Sequence, residues 1–212
     1  MTMEGKILLN PKQKRSIATK SKIKKVARQL FAEQGYYAVT SNKIAAAASI
    51  PIGSFYNYFG NKKGVLLELI QDFNEEFHKE TIQNAPELIA KITSVEMAKE
   101  HLTRLFRRAI LSSHLADPFY SMIHALQFTE PDVLVLSEKI RQIEINAISR
   151  FLEIIHPYAS ISNIPIIAKI LHLSSENVAL YIHHLGTKHE RELLIEKTLV
   201  MFFGLLFGKL SM

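Results

Sequence analysis

The 212-residue chain contains no cysteine. Disulfides, thiolate nucleophiles and cysteine-ligated zinc are excluded together. A disulfide-free chain suits a reducing compartment, so the expected location is cytoplasmic. The opening segment, MTMEGKILLNPKQKR, lacks the apolar core and small-residue cleavage site of a secretory signal. Long hydrophobic runs are also missing. The longest covers 199–208, far short of the ~18–20 residues that span a bilayer, and it reads as a buried helix. No segment alternates apolar and polar residues between hairpin turns, which leaves no convincing strand. There is no internal repeat and no low-complexity block. Nor is there a glycine-rich phosphate loop, a nucleophile elbow or a carboxylate pair, so nothing argues for an enzyme and no cofactor is expected. The nine histidines carry no metal-ligand spacing. His183 and His184 are adjacent and face different directions, and His101, His114 and His124 lack the i, i+4 pairing of helical ligands.

What is present is an apolar fraction of 48%, enough for a sizeable core, and a charge that is unevenly placed. Residues 1–64 hold 12 Lys+Arg against 2 Asp+Glu, a balance of +10. The remainder holds 14 against 18, a balance of −4, which returns the net +6. A basic N-terminal third on an acidic body points to a polyanion partner for the first part. Nucleic acid is the first candidate and an anionic membrane surface the second; a merely solvated basic tail is the plainer alternative.

Periodicity predicts an all-α chain of about nine helices. Residues 1–15 have no periodic pattern and are expected to form a mobile basic arm. From Ser16 a helix begins, with Ile23, Val26, Ala27, Leu30 and Phe31 as its apolar stripe and Gly35 as its stop. Thr40-Ser41-Asn42 caps a short second helix that Ser49-Ile50-Pro51 breaks. A third runs from about Ile52 to Phe59. Asn61 caps a fourth over roughly 62–83. Thr93-Ser94-Val95-Glu96 reads as a capping box opening a helix to about Leu115. Asp117-Pro118 opens a shorter helix to about Phe128, and Thr129-Glu130-Pro131-Asp132 a long one to about His156. Two more follow, from about Pro165 to His184 with Gly186 as its stop, and from a second capping box at Thr187-Lys188-His189-Glu190 to about Leu210. The domains expected are the arm (1–15), a three-helix unit (16–63) and a larger helical unit (64–212).

Two short helices separated by a three- or four-residue break are the layout of a helix-turn-helix, whose second helix enters the DNA major groove. Ile52, Gly53 and Ser54 lie at the start of that helix. Gly53 has no side chain to hold the backbone off a phosphate or a thymine methyl, and Ser54 donates to either a phosphate or a base edge. Phe55 and Phe59 share one face and are expected inside. Tyr56 and Tyr58 fall on other faces, where their hydroxyls reach phosphate oxygens; that they are core as well stays open at this point. Asn57 bonds a phosphate or an adenine edge. Lys62 starts the fourth helix, where its ammonium and the helix N-terminus converge on a phosphate.

The segment TSNKIAAAASIPIGSFYNYFGNK, Thr40–Lys62, resembles the DNA-binding domain of the tetracycline-repressor (TetR) family of bacterial transcription regulators. The end of the first helix, A-x-x-L-F-A-E-x-G-Y from Ala27 to Tyr36, resembles that family too. The likeness covers about residues 16–75. It implies DNA contacts from Ser41, Asn42, Ile52, Gly53, Ser54, Tyr56, Asn57, Tyr58 and Lys62. Tyr56, Tyr58 and Lys62 would touch phosphate, and Asn42, Ile52, Ser54 and Asn57 would read bases. Two positions depart from the family pattern. Ser49 stands where the turn usually has Gly, and so must adopt a conformation that Gly takes more cheaply. Ile52 stands where a polar residue is common, leaving it apolar contact with thymine methyls.

The resemblance implies that the larger unit binds a small-molecule effector and dimerises through its last two helices, on a double-stranded DNA operator. The residues agree. The last helix is apolar nearly all round over 199–206, and the one before it carries Ile167, Ile170, Leu171, Leu173 and Val178; a thick monomer core is the alternative. Phe106, Phe119, Tyr120, Met122, His124, Phe128 and Phe151 are the candidate pocket lining, with plain core as the competing assignment. A hydrophobic or amphipathic effector is favoured over a cationic one, because no buried-looking carboxylate stands out. The function expected is a dimeric, ligand-released repressor. The alternative is a basic helical protein that binds a membrane surface or a protein partner without reading DNA.

Overall fold

The computed structural model describes residues 11–81, 92–112, 114–184 and 187–208. Among these residues there is no strand, and the chain is all-α. It divides into two compact units, Met1–Gln71 and Asp72–Met212.

The first unit begins with α1 (Pro11–Gln34), α2 (Ser41–Ala47) and α3 (Ile52–Tyr58). Helix α1 starts five residues before the apolar stripe predicts. Lys, Gln and Arg are good helix formers, and Pro is well placed in a first turn, so the helix extends where no stripe announces it. Residues 1–10 of the expected arm lie outside the described residues. Ile23, Ala27 and Phe31 are fully buried, as the stripe requires. Gly35 ends the helix with φ 75°, and its N–H reaches Phe31 O at 2.9 Å. Helix α4 (Lys62–Thr81) follows, capped by Asn61, whose Oδ1 accepts from Gly64 N at 3.0 Å. It runs across the division between the units.

The second unit holds α5 (Val95–Ile110), α6 (Pro118–Leu126), α7 (Pro131–Ile155), a 3-10 turn at His156–Tyr158, α8 (Ile164–His184) and α9 (Lys188–Phe207). The cap of α5 departs from expectation. Ser94, not Thr93, is the N-cap, and its hydroxyl accepts from Met97 N at 3.2 Å. The register moves by one residue, so Met97 occupies the place a capping-box carboxylate would need, and no box forms there. Helix α5 also ends at Ile110 rather than near Leu115, its last turn leading into bends before Asp117-Pro118. The box at Thr187 and Glu190 does form, with both reciprocal bonds made. Gly186, expected to stop α8, lies outside the described residues.

The core of this unit is continuous. Phe106, Ile110, Leu152, Ile155, Ala168, Leu171, Ile182, Ile195 and Phe202 are all buried. Helix α8 packs along α7 and is met on other sides by α5 and α9.

Candidate nucleic-acid interface and ligand cavity

Local chemistry builds the first surface. Thr40 holds the start of α2, its hydroxyl accepting from Lys43 N at 3.2 Å. After Ala48 the chain reverses through Ser49 at φ 52°, the left-handed conformation expected there. Ile50 N closes the turn on Ala45 O at 3.0 Å. Pro51 then precedes α3. Ile44, Ala45, Ala48, Phe55 and Phe59 are buried beneath, and the two phenyl rings meet at 6.0 Å.

Outward lie the residues the sequence singles out. Asn42, Ile52, Gly53, Tyr56 and Asn57 are exposed, and Ser41, Ser54, Tyr58 and Lys62 are half-buried. Tyr56 is 53% exposed although its ring edge rests on Phe55. A Cβ built on Gly53 meets nothing within 4 Å. The fold itself therefore makes no demand for glycine at that position.

Lys62 and Lys43 have a part in the architecture that the sequence does not announce. The Lys62 ammonium donates to the carbonyls of Tyr36 and Val39, each at 2.7 Å, and sits 4.2 Å from the centre of the Tyr36 ring. Lys43 donates to Ala38 O at 2.9 Å and to Gln34 Oε1 at 3.3 Å. Both clasp the turn between α1 and α2. Lys20 lies 2.8 Å from Glu68 and over the Phe59 ring. Part of the N-terminal positive charge thus has an internal use, while Lys14, Arg15, Lys22 and Lys25 face solvent.

The second site is a cavity of about 270 Å³ within the second unit. Three of the seven expected residues, Phe106, Tyr120 and Phe151, line it. The other four do not. Phe119 is fully buried against Phe73, Phe128 is 81% exposed, and Met122 and His124 are half-buried off the wall. The reason is helical phase: α6 turns Tyr120, Ile123 and Gln127 to the cavity, at i, i+3 and i+7, and everything between points elsewhere.

Phe73 and Phe77 of α4, Leu171 of α8 and Phe202 of α9 complete the apolar wall. The ring of Phe73 stacks on Tyr120, with centres 5.9 Å apart.

The expectation that no buried carboxylate would appear is corrected by the structure. Glu144 of α7 lines the cavity and holds two imidazoles, accepting from His172 Nε2 at 2.7 Å and His78 Nε2 at 3.2 Å. Burial, the largest single influence, pushes its carboxyl up. The hydrogen bonds from His172 and His78 and their positive charge together outweigh it and hold the group at about 2. Beside it on α7, Arg141 donates to Gln127 Oε1 at 3.1 Å and to Glu138, and its Nε lies 3.9 Å from Glu176 of α8. Sequence periodicity misses these residues because a long helix with a mixed stripe of Ser137, Arg141, Glu144 and Ile148 reads as a solvated face. Only packing by α4 and α8 reveals it as a wall.

Two histidines away from the cavity's carboxylate are held by backbone carbonyls. His101 meets Met97 O at 2.8 Å and His183 meets Ile110 O at 2.7 Å. Among the described residues no group of three or more potential ligands is placed to hold a metal. No described helix is long and apolar enough to cross a membrane.

Residues 23–69 match the family described as bacterial regulatory proteins, tetR family. The HTH-type transcriptional regulator HbdR of Aromatoleum sp. (strain CIB) is 37% identical over 54 residues, which is 26% of this chain and 24% of that protein. The chain thus aligns with about a quarter of the length of that relative. The fold extends further. The fatty acid degradation regulator FadR of Bacillus halodurans superposes with a TM-score of 0.66 at 19% identity, over 88% of this chain and 95% of that one. A Saccharomonospora viridis transcriptional regulator in complex with choline gives 0.68 at 15% identity, over 88% and 96%. Salmonella enterica GusR gives 0.67 at 17%, over 94% and 98%.

Proposed function

With residues 23–69 belonging to the tetR family of bacterial regulatory proteins, we propose that this chain is a ligand-responsive DNA-binding transcriptional regulator. It acts as a dimeric repressor, released from a palindromic operator by a small hydrophobic or amphipathic effector. One observation carries this reading: α3 buries Phe55 and Phe59 while Ile52, Gly53, Tyr56 and Asn57 stand exposed on a unit rich in positive charge.

In this reading α3 lies in the major groove. Gly53 and Ser54 make the closest approach, Asn42, Ile52, Ser54 and Asn57 read bases, and Ser41, Tyr56 and Tyr58 grip phosphate. Lys62 acts at one remove, holding the turn that positions α2. The dimer is supported by an apolar stripe on α8, where Ile166, Ile170, Leu173 and Tyr181 are exposed, and by exposed Leu193, Val200 and Met201 on α9. A second copy would cover these side chains. The cavity is the effector site. The choline complex of one structural neighbour and the fatty-acid role of another support a small ligand at such a site. Helix α4 begins at Lys62 and presents His78 to Glu144 in the cavity wall, so occupancy would bias its position and shift the population away from the DNA-fitting state.

Selection of double-stranded DNA from a random pool by the purified full chain tests the reading. A palindrome with half-sites about one helical turn apart, ~34 Å, is expected. Tyr56→Ala should weaken binding to that site, and Asn57→Ala should change its base preference. No enrichment, together with liposome binding that survives loss of Tyr56, would favour a membrane-surface role instead.

A further inference from the structure

Helix α1 is longer than its packing requires. Its buried residues begin at Ile23, yet the helix starts at Pro11. Residues 13–18 are exposed on every side of it. Lys20 sits over the ring of Phe59, the residue after α3, and pairs with Glu68 at 2.8 Å. The overhang therefore leaves the first unit beside the end of α3.

Charge is sorted within this unit. Among residues 11–71 only Glu33 and Glu68 are acidic. Glu33 accepts from Gln29 Nε2 at 2.9 Å, and Glu68 is taken by Lys20 and Lys24. Helix α3, IGSFYNY, carries no cation, and Lys43 and Lys62 on either side of it are committed to backbone carbonyls. The side chains of Lys14, Arg15, Lys22 and Lys25 are exposed, and no carboxylate among the described residues answers them. At 3.6 residues per turn they fall within an arc of about 100°, opposite Ile23, Ala27 and Phe31. They extend over about 16 Å of helix, a length over which duplex DNA presents about ten phosphate charges.

A face of like charges repels itself, most closely where Lys22 and Lys25 lie three residues apart. A polyanion removes that repulsion. Neutralising phosphates also releases counterions, the main source of affinity that is independent of sequence. A lipid surface is served less well. An interfacial helix needs an apolar face to insert, and among the described residues Ile17 is the one large apolar side chain exposed on α1. We infer that the outer face of α1, through Lys14, Arg15, Lys22 and Lys25, binds the phosphate backbone of duplex DNA beside the segment that α3 contacts. The surface of α3 supplies the base contacts, and α1 supplies the charge. The inference rests on the DNA-binding reading above.

The test measures affinity of the full chain for its selected DNA from about 50 to 400 mM salt. Wild type is compared with a variant carrying Lys14→Gln, Arg15→Gln, Lys22→Gln and Lys25→Gln together, which keeps helix propensity. Each phosphate neutralised contributes ~0.9 to the slope of log affinity against log salt, so the slope should fall by about 3–4 per protomer. Affinity at ~150 mM salt should drop more than about 100-fold, with base preference unchanged. Lys14→Arg, Lys22→Arg and Lys25→Arg together should keep the wild-type slope. Hydroxyl-radical footprinting of the wild-type complex should show protected backbone outside the bases whose preference Asn57→Ala changes, and this arm needs no variant to fold. A slope within about 0.9 of wild type in the Gln variant, or a wild-type footprint confined to those bases, would overturn the inference and leave DNA recognition standing. Anionic phosphatidylserine vesicles that bind wild type and not the Gln variant, with the DNA slope unchanged, would give this face to a membrane instead. Failure of the wild-type chain to bind any DNA would remove both readings, so the two failures are distinguishable.

Discussion

Removal of the Lys62 ammonium separates two roles that a basic residue at a helix start can have. Lys62→Ala deletes two charge-assisted hydrogen bonds, to Tyr36 O and Val39 O at 2.7 Å each, together with the contact over the Tyr36 ring. Such bonds contribute about 1.5–3 kcal/mol each. Discounted for the half-buried position, the loss is about 2–4 kcal/mol. A chain of this size loses roughly 2–4 °C of melting temperature per kcal/mol, so a fall on the order of 10 °C is expected. The assay is a thermal melt paired with operator affinity measured at several salt concentrations. A lysine on phosphate contributes ~0.9 to the slope of log affinity against log salt. A lysine that clasps the turn leaves that slope unchanged while the melt moves. A slope reduced by about 0.9 with an unchanged melting temperature would refute the clasp and return Lys62 to the phosphate.

Three further outcomes are expected. Gly53→Ala meets open space in the fold, so its stability should match or exceed wild type by ~0.5–1 kcal/mol, while DNA affinity falls because the added methyl blocks close approach; unchanged affinity would remove Gly53 from the interface. Ser49→Gly relieves a left-handed φ of 52° and should raise stability by about 0.5–1 kcal/mol, read as a higher urea midpoint at constant m, provided the turn is kept. The depressed Glu144 carboxyl, at about 2 against an ordinary 4.5, is present as full stabilisation above pH ~4.5 and is lost as pH falls toward ~2. The full term is on the order of 3 kcal/mol, and urea titrations from pH 6 to pH 3 should show about 2 kcal/mol of it in wild type and not in Glu144→Gln.

The helices were legible because their signals are local. The stripe at Ile23, Ala27 and Phe31, the cap at Thr40 and the box at Thr187 each act within a few residues and need no partner. So does the turn at Ser49, where one φ angle closes the chain. The failures are local as well: a cap one residue out at Ser94, and a helix that began at Pro11 with no apolar stripe to mark it.

The surface proposed to face DNA was readable because a seven-residue helix with Phe55 turned inward and Phe59 buried at its end has few ways to present its other side chains. The cavity was not. Its lining is drawn from six helices, and which side chains meet depends on helix phase and packing that no single segment encodes. Four of seven expected lining residues therefore lay elsewhere, and Glu144, Arg141, His172 and Glu176 went unnoticed. On a lone helix these four read as solvated charge. Only the covering of α7 by α4 and α8 takes them from water, pairs Glu144 with two imidazoles, and leaves His172 Nδ1 without a partner. Sequence alone determined the helices and the exposed face of α3, through short-range sterics and periodicity. The tertiary structure decided where charge is buried, because desolvation is a property of the neighbours and not of the residue.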